Sequence, residues 1–273
     1  MSKKNPTMTS HNVPLEERVE IKAFLDLFRS APRSLITDAA LAYLSIEDGC
    51  AVSLPFAPPI GLNRILGLRD VASLERAVRW FDGRGGAPRL QIDDNTASAD
   101  VLRWIADRGM TRSGPSWVKL TCPALASPMP WNDAIEVRAA EAGEASLFAE
   151  LMCDGFGFPR SLAPFWAGIV CKPDWTCLIA YLDNLPAGTG IMYAADGYAW
   201  FGGGTTIPTF RNRGVQTALI RARMNLGTKQ GVKVFAVETA EPEPGKYSVS
   251  FENVVKAGFR QVYVRHNYLI KPH

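Results

Sequence analysis

Histidine is scarce in this sequence: His11, His266 and His273 are the only three, and two of them lie near the ends. The five cysteines, Cys50, Cys122, Cys153, Cys171 and Cys177, are odd in number, scattered, and form no C-x-x-C pair. These scarcities argue against a zinc site and against a disulfide framework, and they fit free thiols in a reducing cytoplasm. No metal is expected. Excess charge is missing too: 30 Lys and Arg against 27 Asp and Glu leave +3, too little for a nucleic-acid binder. No run approaches the roughly 20 apolar residues of a membrane span. Polar residues, not an apolar segment, follow Met1, so neither a membrane nor a secretory destination is expected and the expectation is cytoplasmic. What remains is ordinary globular composition, 47% hydrophobic and 21% charged over 273 residues, enough for a large core and for two domains.

Residues 1–13 are polar and read as a frayed tail. Leu15, Val19, Phe24, Leu27 and Phe28 follow helical spacing up to about Ser30, and Pro32 closes that segment. Pro123, Pro128 and Pro130 mark a linker, which divides the chain into domains at 14–128 and 132–273. The second part alternates: strand 135–138, helices 141–152 and 161–170, strands 175–182 and 188–194 joined at Asp183-Asn184, and a strand 198–207 containing Gly202-Gly203-Gly204. A helix over 214–229, a strand 232–238, a helix 250–256 capped by Gly258, and two β-prone segments complete a mixed α/β pattern. The first part repeats some of this order, with strands 63–68, 88–92 and 117–120 and helices 72–81 and 99–108. Asp70 to Leu90 spans the same 20 residues as Gly214 to Val234, which suggests a diverged internal duplication.

The chemically informative stretch is Gly202-Gly-Gly-Thr-Thr-Ile-Pro208-Thr-Phe-Arg211-Asn-Arg213-Gly214-Val-Gln-Thr217. A glycine-rich strand end runs through an Arg-x-x-Gly turn into an amphipathic helix. Free amides at a helix N-terminus, flanked by two arginines, favour a phosphate or pyrophosphate, and Gly214 allows close backbone approach. The turn is neither a Walker P-loop nor a dinucleotide G-x-G-x-x-G, and no G-x-S-x-G serine elbow is present.

At these residues the sequence resembles the GNAT superfamily of N-acetyltransferases, whose coenzyme A turn reads [Arg/Gln]-x-x-Gly-x-[Gly/Ala] with a Pro three residues before the Arg. Pro208, Arg211 and Gly214 match; Gln216 departs at the final small position. The resemblance covers roughly residues 133–270 and includes Gly258-Phe259 after the late helix. It implies the acyl-CoA N-acyltransferase fold in the second half and a degenerate, partial version in the first. It also implies two strands splayed apart, with pantetheine pairing along Gly204, Thr205 and Thr206. The pyrophosphate would lie on Arg211, Asn212, Arg213, Gly214, Val215, Gln216 and Thr217, and Asn253 would contact the cofactor. The implied activity is direct acetyl transfer from acetyl-CoA to an amine on a small molecule or peptide. The alternatives are a non-catalytic coenzyme A-binding regulatory module and a longer acyl chain.

The family's usual catalytic groups are not matched: no acid stands in 198–201, and Val254 occupies the usual tyrosine position. Glu238 is the substitute base, and Tyr263 (or Tyr247) the substitute acid for the leaving thiolate. Phe156, Phe158, Phe165 and Trp166 fall on the acceptor side, in the core or lining the pocket. The first half, with Asp70 and Glu75 where an anion would sit, is expected to hold no second coenzyme A site and to pack against the other, offering a wall to the acceptor pocket. A homodimer is left open.

Overall fold

The computed structural model describes residues 13–57 and 61–270; the expected frayed tail therefore lies, but for Val13, outside the described residues. Helix α1 (Leu15–Arg29) buries Val19, Phe24, Leu27 and Phe28 along one face. The same face carries Glu17 and Glu20, also buried, which need charged partners there. After α2 (Arg33–Asp38) comes a hairpin absent from the sequence-based expectation, β1 (Ala42–Ile46) and β2 (Gly49–Ser53), turning at Glu47-Asp48. The rest of the first half is β3 (Arg64–Leu66), α3 (Val71–Phe81), β4 (Arg89–Ile92), α4 (Ala99–Asp107) and β5 (Trp117–Pro123). Asp70 caps α3 by accepting from the Ser73 amide, which gives that acid a structural role.

The second half comprises β6 (Ile135–Ala139), α5 (Ala145–Phe156), α6 (Ala163–Ala167), β7 (Trp175–Leu182), β8 (Leu185–Ala195), β9 (Tyr198–Thr206), α7 (Val215–Lys229), β10 (Val234–Ala240), α8 (Val249–Lys256) and β11 (Arg260–Leu269). Asp183 and Asn184 both take left-handed φ (54° and 59°), the conformation a tight two-residue hairpin demands. Instead of two terminal β segments there is one strand, β11, kinked by a register shift between Gln261 and Tyr263.

All eleven strands form one mixed sheet in the order β1-β2-β3-β4-β11-β5-β10-β9-β8-β7-β6. Among the described residues only β3–β4 and β9–β10 are parallel pairs, one in each half. At the centre the halves exchange their last strands: β5 lies between β10 and β11, and β11 lies between β4 and β5. The sheet therefore runs unbroken past the linker near residue 130. Helix α1 crosses one face of it and touches strands of both halves, β1 and β2 as well as β8, β9 and β10.

Under α1 the sheet presents Arg64 (β3), Lys119 (β5), Arg265 (β11) and Glu238 (β10). Glu20 accepts from Lys119 at 2.5 Å and from Arg265 at 2.9 Å, and Arg64 stands 3.6 Å away. Glu17 accepts from Arg265 at 3.3 Å and from Arg69 at 3.0 Å. Burying Glu17, Glu20 and Glu238 is tolerable because each of these carboxylates meets at least two cations.

Candidate active site

Strands β9 and β10 pair from Tyr198↔Val234 to Phe201↔Val237 and no further. Beyond that point β10 stays with β5 as far as Ala240↔Trp117, while β9 stays with β8 as far as Thr206↔Gly188. A wedge opens between them. On the β8 side Ile191 pairs with Gly202 and Thr189 with Thr205, so an extra residue bulges out of β9. Gly203 takes φ 52° there, and a Cβ would stand 2.5 Å from Ile191 Cδ1, which explains the glycine run. The bulge is fastened from below by Arg223 of α7, whose buried guanidinium donates to the carbonyls of Ile191 (3.1 Å) and Gly202 (3.2 Å), with Nε donating to Leu219 (3.0 Å). Burial without a facing carboxylate lowers its pKa to about 9, still cationic at neutral pH.

The Arg-x-x-Gly turn follows a single 3-10 turn (Pro208–Phe210), with Asn212 at φ 62° and Gly214 at φ 86° before α7 begins. Arg211 is exposed, with Nη2 donating to the Gly155 carbonyl at 3.3 Å. Between this turn and α8 lies an open cleft of about 730 Å³. Of the residues singled out in the sequence, Gly204, Thr205, Thr206, Arg211, Asn212, Gly214, Val215, Gln216, Thr217 and Asn253 line it, together with Tyr247 and Ser250. Arg213 does not: it turns away to an ion pair with Asp183 at 2.8 Å. Among the described residues no acidic one lines the cleft. Gln216, the departure from the small-residue position, reaches across it: its Oε1 accepts from Asn253 Nδ2 at 2.7 Å, and its Nε2 lies 3.5 Å from the Ser250 hydroxyl.

Through the wedge the cleft continues into a cavity of about 220 Å³, the two sharing Phe156, Gly204, Gln216 and Ser250 in their walls. The deep walls are aromatic: Phe24, Trp117, Phe156, Phe158, Trp166 and Trp200. Phe156, Phe158 and Trp166 form a stacked ladder, with centroids 5.2 and 5.9 Å apart. Phe165 is absent from it, buried edge-on against Phe28 instead. The first half supplies Phe24, Leu62, Arg64 and Trp117. Sequence reasoning missed these, as well as Trp200 and Arg223, because no local pattern marks residues that converge only through sheet pairing.

Glu238 lines this cavity, but not as a free carboxylate. Its Oε1 accepts from Arg64 at 2.8 Å and its Oε2 from Arg265. Burial alone would raise its pKa; Arg64, Arg265 and Lys119 outweigh that and hold it well below the usual carboxylate range. Such a carboxylate is a poor proton acceptor, which corrects the expectation of a competent base. Tyr263 is elsewhere. It lines a separate cavity of about 90 Å³ with Glu17 and Arg265, its hydroxyl buried and without a hydrogen-bond partner among the described residues. Burial first of all raises its pKa, and it lines neither the cleft nor the inner cavity. Tyr247 does reach the cleft, where it is exposed beside Lys256.

Among the described residues no cluster of His, Cys, Asp and Glu could hold a metal ion, and no helix is long and apolar enough to cross a membrane. Neither family models nor curated proteins match the sequence. Solved structures do match the fold. A GCN5-related N-acetyltransferase from Kribbella flavida superposes with a TM-score of 0.62 over 96% of this chain and 98% of its own, at 14% identity. One from Sphaerobacter thermophilus gives 0.55 at 18% identity over 68% of this chain, which spans 61% of it. A GNAT-family acetyltransferase from Colwellia psychrerythraea gives 0.53 at 11% identity, over 94% of this chain and 97% of its own. The chain thus has the mixed α/β fold of the GCN5-related N-acetyltransferases.

Proposed function

We propose that the protein is an N-acetyltransferase that uses acetyl-CoA and has one cofactor site per chain, in its second half. The observation that carries this reading is the continuous passage from the α7 N-terminus, through the β9–β10 wedge, to an aromatic-lined cavity. The residues suit the cofactor at each station. Amides over 212–217, Gly214 in left-handed conformation and Arg211 suit a pyrophosphate, and the acid-free cleft does not repel it. The backbone of Gly204 to Thr206, no longer paired to β10, is free to pair with the pantetheine arm. Acetyl-CoA supplies an activated acyl carbon. The chain's own residues align the two reactants, and the bulge braced by Arg223 fixes backbone groups beside the reacting carbonyl. The acceptor would lie in the aromatic-lined cavity beneath α1, to which Phe24 and Leu27 of that helix contribute.

The test is calorimetric titration with acetyl-CoA and with coenzyme A. Saturable binding near one per chain is expected, lost in Arg211→Ala/Gly214→Glu and retained in Asp70→Ala. Absence of binding in folded protein overturns the reading. The locked Glu238 favours one competing reading, a coenzyme A-binding module without turnover. Thiol release in the presence of amines separates the two.

A further inference from the structure

Glu238 is the only carboxylate in the walls of the inner cavity, and none of the residues outside the description is Asp or Glu. Arg64 of β3 and Arg265 of β11 hold it, with Lys119 of β5 nearby; Glu17 and Glu20 of α1 face the same cluster. The cavity's other charges are cations, Arg64 and Arg223. The side-chain groups left without partners in its walls are mostly donors as well, including the indole N–H groups of Trp166 and Trp200. An alkylammonium arriving here finds two guanidinium groups, no free carboxylate and no base to remove its proton. Cation–π attraction is partly spent: Arg64 already covers Phe24 at 4.0 Å and Arg223 covers Phe201 at 4.4 Å.

We infer that the acceptor is an aromatic amine whose nitrogen is already neutral at pH 7, an aniline-type arylamine, held by the aromatic ladder with its nitrogen toward the wedge. The inference rests on the acyl-transfer reading above. Size agrees with it. A cavity of ~150 Å³ accepts benzene, so about 220 Å³ leaves room for a substituted ring and its amino group. Chemistry agrees as well. An alkylamine with a pKa like that of lysine, ≈ 10.4, is neutral in only about one molecule in a few thousand at pH 7, so it needs a base. Delocalisation of the nitrogen lone pair into the ring keeps an arylamine neutral without one. In the transfer the amine nitrogen forms a bond to the thioester carbonyl carbon and the C–S bond breaks. The proton lost by nitrogen ends on the departing sulfur, so no net acid or base is consumed.

The experiment uses the full chain with acetyl-CoA and two acceptors of similar size, aniline and benzylamine, followed by thiol release from pH 6.5 to 9 with product mass as a check. A higher kcat/KM for aniline at pH 7 is expected, by about tenfold or more, with a flat pH profile. Benzylamine is expected to rise about tenfold per pH unit as its neutral fraction grows. Phe158→Leu is expected to raise KM for aniline several-fold while leaving acetyl-CoA binding unchanged. Preference for benzylamine at pH 7, or acetyl-CoA binding with no turnover of any arylamine, overturns the inference but leaves the cofactor site standing. Failure to bind acetyl-CoA overturns both.

Discussion

Gln216 occupies the position where a Gly or Ala would leave the cleft open, and it spans the cleft to Asn253 and Ser250. A cofactor arm running past this pair from the pyrophosphate turn to the wedge would displace that carboxamide and break its 2.7 Å bond. A single hydrogen bond of this kind contributes about 1 kcal/mol. Gln216→Ala is therefore expected to tighten acetyl-CoA binding by roughly three- to tenfold, measured by calorimetry; weaker binding would mean that the amide contacts the cofactor instead. Arg211 and Gly214 were legible in the sequence because their spacing is local. Arg213 was not: the same motif places it in the turn, and only the fold brings Asp183 within 2.8 Å to draw it away. Glu238 was legible as a carboxylate near the wedge. Its ionic partners come from β3 and β11 and could not be read from its neighbours in sequence.

At the scale of elements, the wedge depends on β9 bulging away from β10. Gly203 must hold a left-handed φ with Ile191 and Met152 against it. Gly203→Ala is expected to cost about 1–3 kcal/mol in urea unfolding and to lower kcat/KM by more than it lowers coenzyme A affinity, since the turn at 211–217 is untouched. Helix α1 is the other sensitive element. Glu20 answers Lys119, Arg265 and Arg64 at once, so Glu20→Gln should destabilise the protein by about 3 kcal/mol or more. The pH dependence follows from Glu238. Its pKa is held below the ordinary 4.5 in the folded state, so its stabilisation is complete above that value and is lost as pH falls toward the folded one. Urea midpoints should be level from pH 7 to about 5 and fall below it, with a shallower fall in Glu238→Gln. The sequence revealed α1 through its apolar spacing but not its task, since the two buried glutamates look like solvated surface charges. The β1–β2 hairpin is weakly marked because β2, Gly49–Ser53, is buried along its whole length and shows no polar–apolar alternation.

For the whole molecule, the repeated spacing from Asp70 to Leu90 and from Gly214 to Val234 hinted at two related halves, and the sheet has one parallel pair in each. The exchange of β5 and β11 was invisible, because strand pairing across so many residues leaves no local mark. It has a direct consequence for dissection. A fragment spanning 132–273 would lack β5, leaving β10 and β11 without the strand that joins them. That fragment is expected to aggregate alone and to become soluble when co-expressed with 1–131. A monomeric, folded 132–273 fragment would refute the dependence.

The exchanged strands also set an order of events during synthesis. Strand β4 takes β11 as its neighbour, Gln91 bonding to Asn267 across 176 residues of chain. The first half thus emerges from the ribosome long before the strand that completes its sheet. Until residues 260–269 arrive, one side of β4 and the charged underside of α1 wait uncovered, exposed to the wrong partner. Pairing so distant in sequence makes for slow folding. The two halves can mature only together, when the last strand threads into the centre.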